Sequence, residues 1–174
     1  ASIVATSTAE LTFPSAATMV QHALGMTKGY AFDVQAVCAG FVFALSNANA
    51  LIVSGQAKRV LVIGAETFSR IMDWTDRGTC VLFGDGAGAL ILAAAEGDGS
   101  NADRGIHSTA LNSDGSQRDI IYVVSGQDLG YSSAASFPLG LSVVLMLGQF
   151  KPGDLVVTEA IGGGLAWGAV VLRW

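Results

Sequence analysis

Apolar residues along the chain fall into short runs separated by turn-forming residues, and the runs alternate between strand and helix patterns. Ser2–Ala5, Tyr30–Val34 and Arg59–Glu66 have the length and apolar character of strands. Arg59–Glu66 is nearly continuous in its apolar residues, which is typical of a sheet covered on both faces. The first part of the chain is therefore expected to form a sheet.

Two helical patterns lie between these strands. The first opens at Pro14 and Ser15 and runs to about Leu24, where Gly25 stops it. The second, Ala39–Ser54, is apolar on nearly every face but shorter than the ~18–20 apolar residues that a membrane span needs. It predicts a helix buried inside a globular protein.

The remaining patterns complete a layered α/β arrangement. We expect a short strand at Val81–Phe83, a strand pair in Phe83–Ala95 with Gly84–Gly88 as a turn, a surface loop at Gly97–Arg104, a helix from Ser132 to about Gln149, a turn at Lys151–Asp154, and strands on both sides of Gly162–Gly164. Strands that alternate with buried helices predict an α/β fold whose sheet is covered on both faces.

Composition and charge exclude several classes of protein. With 51% hydrophobic and 13% charged residues, the 174-residue chain is not intrinsically disordered. The net charge is −5 and the longest basic cluster is Lys58-Arg59, so nucleic acid is not an expected partner. Two cysteines suggest neither a disulfide framework nor a zinc site, and no metal or cofactor motif is present. A cytoplasmic protein that binds neither metal nor membrane is expected.

Cys38 is the strongest candidate for chemistry. It lies between a strand and the first turn of the buried helix, where unpaired backbone N–H groups and the helix dipole favour a thiolate nucleophile. Small flanking residues leave room for a substrate carbonyl. The alternative is a structural cysteine packed in the core, as is expected for Cys80.

A glycine-rich loop is the second candidate. Gly162–Gly164 could donate backbone N–H groups into an oxyanion hole, but a plain hairpin would use the same residues. His22 and His107 have no triad or metal-ligand pattern near them and are expected at the surface.

Seven motifs occur in a characteristic order over nearly the whole chain. They are Thr12–Ser15 (TFPS), Phe32–Phe41 (FDVQAVCAGF), Asp76–Thr79 (DRGT), Phe83–Gly88 (FGDGAG), Ser133–Ser136 (SAAS), Lys151–Asp154 (KPGD) and Gly162–Gly168 (GGGLAWG). Together they resemble the β-ketoacyl-acyl-carrier-protein synthase III family of the thiolase superfamily. The resemblance implies a thiolase-like layered α/β fold and a condensation that starts fatty-acid synthesis.

The resemblance also implies roles for individual residues. Cys38 would take an acyl group, with acetyl as the expected one, from acyl-coenzyme A, and malonyl-acyl-carrier protein would then condense with the thioester. The N–H groups of Cys38 and Gly163 would form the oxyanion hole. Substrate contacts are implied for Arg77 on the adenine of coenzyme A, for Phe83 and Ile161 near the acyl pocket, and for Phe13 in the pocket of a second subunit of a homodimer. No cofactor is implied beyond the coenzyme A thioester.

The chain departs from the family pattern in several places. The His-Gln-Ala-Asn segment has no counterpart, and Tyr131 stands where the family's asparagine belongs. The N-terminal quarter, which carries a tryptophan opposite Arg77, and the basic helix that docks the carrier protein are missing as well. A long family segment is skipped between Gln127 and Asp128, which divides the chain into 1–127 with the nucleophile and 128–174 with the glycine loop.

These departures leave the extent of the activity open. The residues are either the retained parts of a longer enzyme or an internally deleted protein. For the 174 residues alone we expect acyl transfer without efficient condensation. The alternatives are another acyltransferase of the superfamily, and a truncated remnant that serves as a binding or assembly module.

Overall fold

Two β-sheets with a helix packed between them form the core of the structure. The computed structural model describes residues 1–78, 80–119 and 151–174. In chain order, the helices and strands of these residues are β1 (Ser2–Ala5), α1 (Ala16–Ala23), β2 (Ala31–Val34), α2 (Gly40–Val53), β3 (Arg59–Thr67), β4 (Asp85–Ala93), β5 (Gly105–Ser113), β6 (Leu155–Gly162) and β7 (Ala166–Arg173). Short 3₁₀ turns at Val37–Ala39, Phe68–Arg70 and Gly115–Gln117 connect some of them.

The first sheet is mixed, and its described strands have the order β2-β1-β3-β4. β1 pairs in parallel with both β2 and β3, and β4 pairs antiparallel with β3. Along β3, buried and half-buried side chains alternate, so both of its faces are largely covered, as predicted. Along β4, half-buried and exposed side chains alternate, so the prediction of two covered faces does not hold for that strand.

The second sheet is antiparallel, with its described strands in the order β5-β7-β6. β6 and β7 form a hairpin around Gly162–Gly164, so that Gly162 pairs with Ala166 and Ile161 with Trp167. Leu111 of β5 pairs with Gly168 of β7. The hairpin therefore brings the end of the chain beside a strand from its middle.

Helix α2 is buried between the two sheets. One cluster of buried side chains joins the helix to both sheets: Phe41, Val42 and Leu45 from α2, Ile3 and Val62 from the first sheet, and Val170 from the second. The Ser46 hydroxyl also donates a hydrogen bond of 3.1 Å to the hydroxyl of Thr109 on β5. Because burial of a large apolar side chain contributes about 1.5–3 kcal/mol, this cluster holds the sheets to the helix. The predicted buried helix is confirmed.

Local residues mark the start of α1 and the ends of both helices. The Ser15 side chain accepts a hydrogen bond from the N–H of Thr18 at the start of α1, and Gly25 follows the helix with φ of +64°. Gly55 follows α2 with φ of +75°. These residues explain why both helices could be located correctly from the sequence.

Several strand predictions between Cys80 and Ser113 are wrong. Phe83–Ala95 holds one strand, β4, rather than a pair, because its partner is β3. Gly84–Gly88 is not a turn, since β4 begins at Asp85 and includes the last four of these residues. Val81 and Leu82 lie in an exposed turn instead of a strand, and Cys80 is half-buried. Strand β5 was not expected from its Ser-, Thr- and Asn-rich sequence.

The remaining predictions on organisation have mixed outcomes. Gly97–Arg104 and Lys151–Asp154 are surface segments without strand or helix, as expected. The helix pattern at 132–149, Tyr131 and the boundary between residues 127 and 128 lie outside the described residues. Strand β5 precedes that boundary in sequence but pairs with β7 after it. Among the described helices, none is long and apolar enough to cross a membrane.

Candidate active site

The candidate nucleophile lies in the connection from the first sheet to the buried helix. Cys38 is the middle residue of the 3₁₀ turn Val37–Ala39, directly before α2, and is half-buried. The N–H of Ala39 donates to the carbonyl oxygen of Ala36 at 3.0 Å, which closes the turn. The thiol is therefore held at the N-terminal end of a helix that is packed on both sides, as the sequence predicted.

The residue before the cysteine has a strained backbone. Val37 has φ of +48°, a left-handed conformation that is a clear outlier for a β-branched residue. Such a conformation costs about 1–3 kcal/mol and persists only where the surrounding structure enforces it. Backbone strain of this kind clusters at functional sites, and here it fixes the direction in which the chain presents Cys38.

The glycine loop of the second sheet packs directly against this turn. A Cβ atom on Gly162 would lie 2.8 Å from the backbone nitrogen of Cys38 and 2.9 Å from the carbonyl oxygen of Ala36. Real Cβ atoms do not approach other atoms this closely, so any other residue at this position would push the two segments apart. The structure thus brings the two sequence candidates, the cysteine and the glycine loop, together.

The loop has a second support on its other side. The N–H of Asp114 donates to the carbonyl oxygen of Leu165 at 2.9 Å, and the N–H of Leu165 donates back to Asp114 at 3.0 Å. Gly164 has φ of +137°, which glycine adopts readily. The loop is therefore a hairpin turn and a neighbour of Cys38 at once. Gly163 lies in its middle, and its role as an oxyanion donor stays a prediction.

Two of the predicted substrate-binding residues lie in or after the segment that follows β3. Phe83 is half-buried, and its ring lies 5.9 Å from the ring of the fully buried Phe68, at an angle of 40°. Asp85 braces this segment, because its carboxylate accepts hydrogen bonds from the Ser69 hydroxyl (2.6 Å) and N–H (2.8 Å). These bonds hold the pKa of the Asp85 carboxyl below its usual value. Arg77 is exposed in the turn that lies between Phe68 and Phe83 in sequence.

Ile161 lines an open cavity of about 760 Å³ together with its cross-strand neighbour Trp167. Side chains alternate along a strand, so Ile161 lies on the face of β6 opposite to Gly162 and away from α2. Its side chain is 61% exposed. The expected proximity of Ile161 to the acyl pocket stays a prediction.

The last predicted binding residue and the two histidines are at the surface. Phe13 is 81% exposed in the segment between β1 and α1. His22 and His107 are both exposed, as expected, and the Nε2 atom of His107 lies 2.9 Å from the carbonyl oxygen of Asp103. Among the described residues, no group of three or more His, Cys, Asp or Glu side chains is placed to hold a metal ion.

Sequence reasoning missed Glu66, the buried carboxylate of the first sheet. Glu66 lies near the end of β3 and is 3% exposed. Its carboxylate accepts hydrogen bonds from the N–H of Ser7 and the hydroxyl of Thr8. The signal was present, because an acidic residue at an inward position of an otherwise apolar strand needs several donors.

Comparisons with known proteins agree with this arrangement. A family model described as 3-Oxoacyl-[acyl-carrier-protein (ACP)] synthase III matches residues 32–115, and the model of its C-terminal part matches residues 100–174. The beta-ketoacyl-[acyl-carrier-protein] synthase III of Ruegeria sp. (strain TM1040) is 55% identical and covers 99% of this chain and 76% of its own length. The protein of the same name from Paracoccus denitrificans is 51% identical with the same coverage.

Solved structures of proteins with this name have the same fold. The 3-oxoacyl-[acyl-carrier-protein] synthase III of Aquifex aeolicus is 34% identical, with a TM-score of 0.85 over 99% of this chain and 76% of its own. The protein of this name from Pseudomonas aeruginosa is 28% identical, with a TM-score of 0.91 over 100% and 76%. The predicted thiolase-like layered α/β fold is confirmed.

The relatives are longer than this chain over the aligned stretch, whereas the position of the skipped segment, between Gln127 and Asp128, stays a prediction. The aligned stretch of the Ruegeria protein spans 245 residues, 71 more than the 174 of this chain. Part of the relative's aligned sequence therefore has no counterpart here.

The contact between Gly162 and the Cys38 turn gives the first testable prediction. We expect Gly162→Ala to lower the free energy of unfolding by about 1–3 kcal/mol, because the added methyl group must displace backbone atoms. Urea unfolding measures this change. Gly115→Ala is the matched control, since a Cβ there meets nothing within 4 Å. Equal effects of the two substitutions would show that the contact does not hold the segments together.

Proposed function

Because this chain belongs to the 3-oxoacyl-acyl-carrier-protein synthase III family, we propose that Cys38 accepts an acyl group from acyl-coenzyme A as a thioester. The observation that carries this proposal is the packing of Gly162 against the backbone of the Cys38 turn. That packing puts the nucleophile beside the glycine loop whose Gly163 N–H is the proposed oxyanion donor, which is the arrangement that acyl transfer needs.

The proposed acyl transfer exchanges one thioester for another. The Cys38 sulfur attacks the carbonyl carbon of acyl-coenzyme A, and negative charge develops on the carbonyl oxygen. The N–H groups of Cys38 and Gly163 would stabilise that oxygen. The intermediate then expels the sulfur of coenzyme A, which takes up a proton, and the acyl group remains on Cys38. The step needs no metal or redox cofactor.

The second half of the proposed reaction is condensation with malonyl-acyl-carrier protein. Loss of carbon dioxide from the malonyl group leaves an electron pair on carbon, and this carbon attacks the Cys38 thioester. The product is a 3-ketoacyl-acyl-carrier protein, and the Cys38 thiol is regenerated. The resemblance assigns this half to a histidine and an asparagine whose motifs the chain lacks, so we propose that the 174 residues alone perform it poorly.

Four further residues are proposed to bind substrate. The exposed Arg77 is available to stack on the adenine of coenzyme A, and Phe83, supported by the Phe68 ring, is available to line the acyl pocket. Ile161 is proposed near the same pocket. The high exposure of Phe13 is consistent with a contact outside its own subunit, and we therefore propose a homodimer.

The acyl-enzyme gives the second prediction. On incubation with acetyl-coenzyme A, the protein is expected to gain the mass of one acetyl group, and Cys38→Ser is expected to gain none. Intact-protein mass spectrometry measures both. Cys80→Ser is the matched control, because it removes the other cysteine and is expected to acylate like the unchanged chain. Acylation of Cys38→Ser, or none of the unchanged chain, would refute the proposal.

Condensation gives the third prediction. After acetylation of Cys38, added malonyl-acyl-carrier protein is expected to release carbon dioxide and 3-ketoacyl product at least ~100-fold more slowly than a full-length relative, because general acid–base groups typically contribute about 10²–10⁴-fold. Product formation is followed by mass spectrometry of the carrier protein. Condensation rates equal to those of the relative would mean that these 174 residues supply the groups that replace the histidine and asparagine.

The alternative function is that of an assembly module, which predicts that Cys38→Ser changes no activity while oligomers persist.

The role of Arg77 gives the fourth prediction. Arg77→Gln is expected to raise the apparent KM for acetyl-coenzyme A about two- to fivefold with little change in the maximal acylation rate, since a cation–π contact at an exposed site is worth about 0.5–1 kcal/mol. The concentration dependence of Cys38 acylation measures both constants. Arg118→Gln removes another exposed guanidinium as a control. An unchanged KM for Arg77→Gln would exclude the proposed contact.

A further inference from the structure

The segment that carries Phe13 begins on a buried carboxylate. Glu66 on β3 is 3% exposed, and its Oε1 and Oε2 atoms lie 2.9 and 3.2 Å from the backbone nitrogen of Ser7. The Thr8 hydroxyl donates to Oε2 as well, and the Thr6 hydroxyl does so at 3.4 Å. A buried carboxylate requires such donors, and these come from the residues that directly follow β1.

The direction of the Thr8 hydrogen bond is determined by its second partner. The N–H of Thr67 donates to the Thr8 hydroxyl oxygen at 2.7 Å, so that the hydroxyl proton points to Glu66. The Thr67 hydroxyl in turn donates to the Thr8 carbonyl oxygen at 3.3 Å. Thr8 is therefore bound to β3 through its side chain and through its backbone.

A second carboxylate holds the other end of the same segment. Asp33 on β2 accepts hydrogen bonds from the N–H groups of Ala16 (2.8 Å) and Ala17 (2.7 Å), the first residues of α1. A carboxylate is favourable at this position because a helix N-terminus has unpaired N–H groups and a positive dipole end. β2 and β3 are the two neighbours of β1 in the sheet. Each neighbour thus contributes one carboxylate to the chain that leaves β1.

Residues 9–15 between the two anchors, which we call the Phe13 loop, are mostly exposed. Phe13 is the most exposed large apolar side chain among the described residues. Because both ends of this loop are hydrogen-bonded to carboxylates, we expect its exposed ring to be presented in a restricted range of positions.

We propose that Glu66 and Asp33 are positioning residues that set where Phe13 is presented to the acyl pocket of a second copy of this chain. The proposal rests on the proposed function, because that function supplies the pocket. Loosening either anchor would let the Phe13 ring move away from the wall of the acyl pocket. The preference of the protein for short over long acyl groups would then approach that of a variant without the Phe13 ring.

The anchor itself is tested by backbone hydrogen exchange on the full chain, without any substrate. Glu66→Gln is expected to speed exchange of the Ser7 N–H at least about tenfold, since a hydrogen bond to a charged group is lost. Glu10→Gln is the matched control, because it makes the same change on an exposed residue of the loop and is expected to change nothing at Ser7. If Glu66→Gln does not fold, Thr8→Val tests the same anchor, and Thr8→Ser is expected to restore it. Unchanged exchange in the folded variant would overturn the proposal.

The effect on selectivity is tested with two acyl donors. The ratio of Cys38 acylation rates with acetyl- and octanoyl-coenzyme A is expected to shift at least about threefold in Glu66→Gln, towards the ratio of Phe13→Ala, as for a contact of modest strength. Glu66→Gln is expected to cause no further shift in the Phe13→Ala chain. Additive shifts, or no shift with Ser7 exchange accelerated, would overturn the positioning role. A chain that exchanges as expected but never acylates would refute the proposed function and leave the Glu66 anchor established.

Discussion

The close approach of Gly162 to the backbone of Cys38 is the constraint on which the site depends. It joins the second sheet to the turn at the start of α2, and it is possible only because position 162 has no side chain. The strained φ of Val37 shows that the turn itself is not a relaxed conformation. Packing from the sheet and from the buried helix therefore holds the nucleophile in a geometry that the local sequence alone would not maintain.

The composition of the buried helix α2 explains how one short segment can pack against both sheets. α2 has apolar residues on nearly every face, so it buries most of them only if it is covered on two sides. The first sheet covers one side and the second sheet covers the other. This arrangement positions Cys38 at the end of the helix, where the loops of both sheets converge. The same layering is what the relatives of known structure have.

Local signals in the sequence were sufficient for the first five elements. Ser15, Gly25 and Gly55 mark helix ends, and the apolar runs of β1 and β3 have few alternatives. The strands β4 and β5 were mispredicted or missed because glycines and small polar residues have low strand propensity. They are strands because β3 and β7 offer them partners, and such long-range pairing is not visible in a local pattern.

The candidate site shows the same difference between what local sequence signals predict and what depends on long-range contacts. Cys38 and the glycine loop could be identified from their types and settings, but their contact depends on residues far apart in sequence. Glu66 was overlooked because its partners, the residues after β1, come from a distant segment. The resemblance to a known family added the roles of Arg77 and Phe13, which the described contacts alone do not specify.

The most direct test is a crystal structure of the chain acetylated at Cys38. If the Cys38 turn and the glycine loop form one acyl-transfer site, the thioester carbonyl oxygen lies about 2.7–3.1 Å from the backbone nitrogens of both Cys38 and Gly163. A carbonyl oxygen that points away from the glycine loop, or an acetyl group bound to any other residue, would contradict the account.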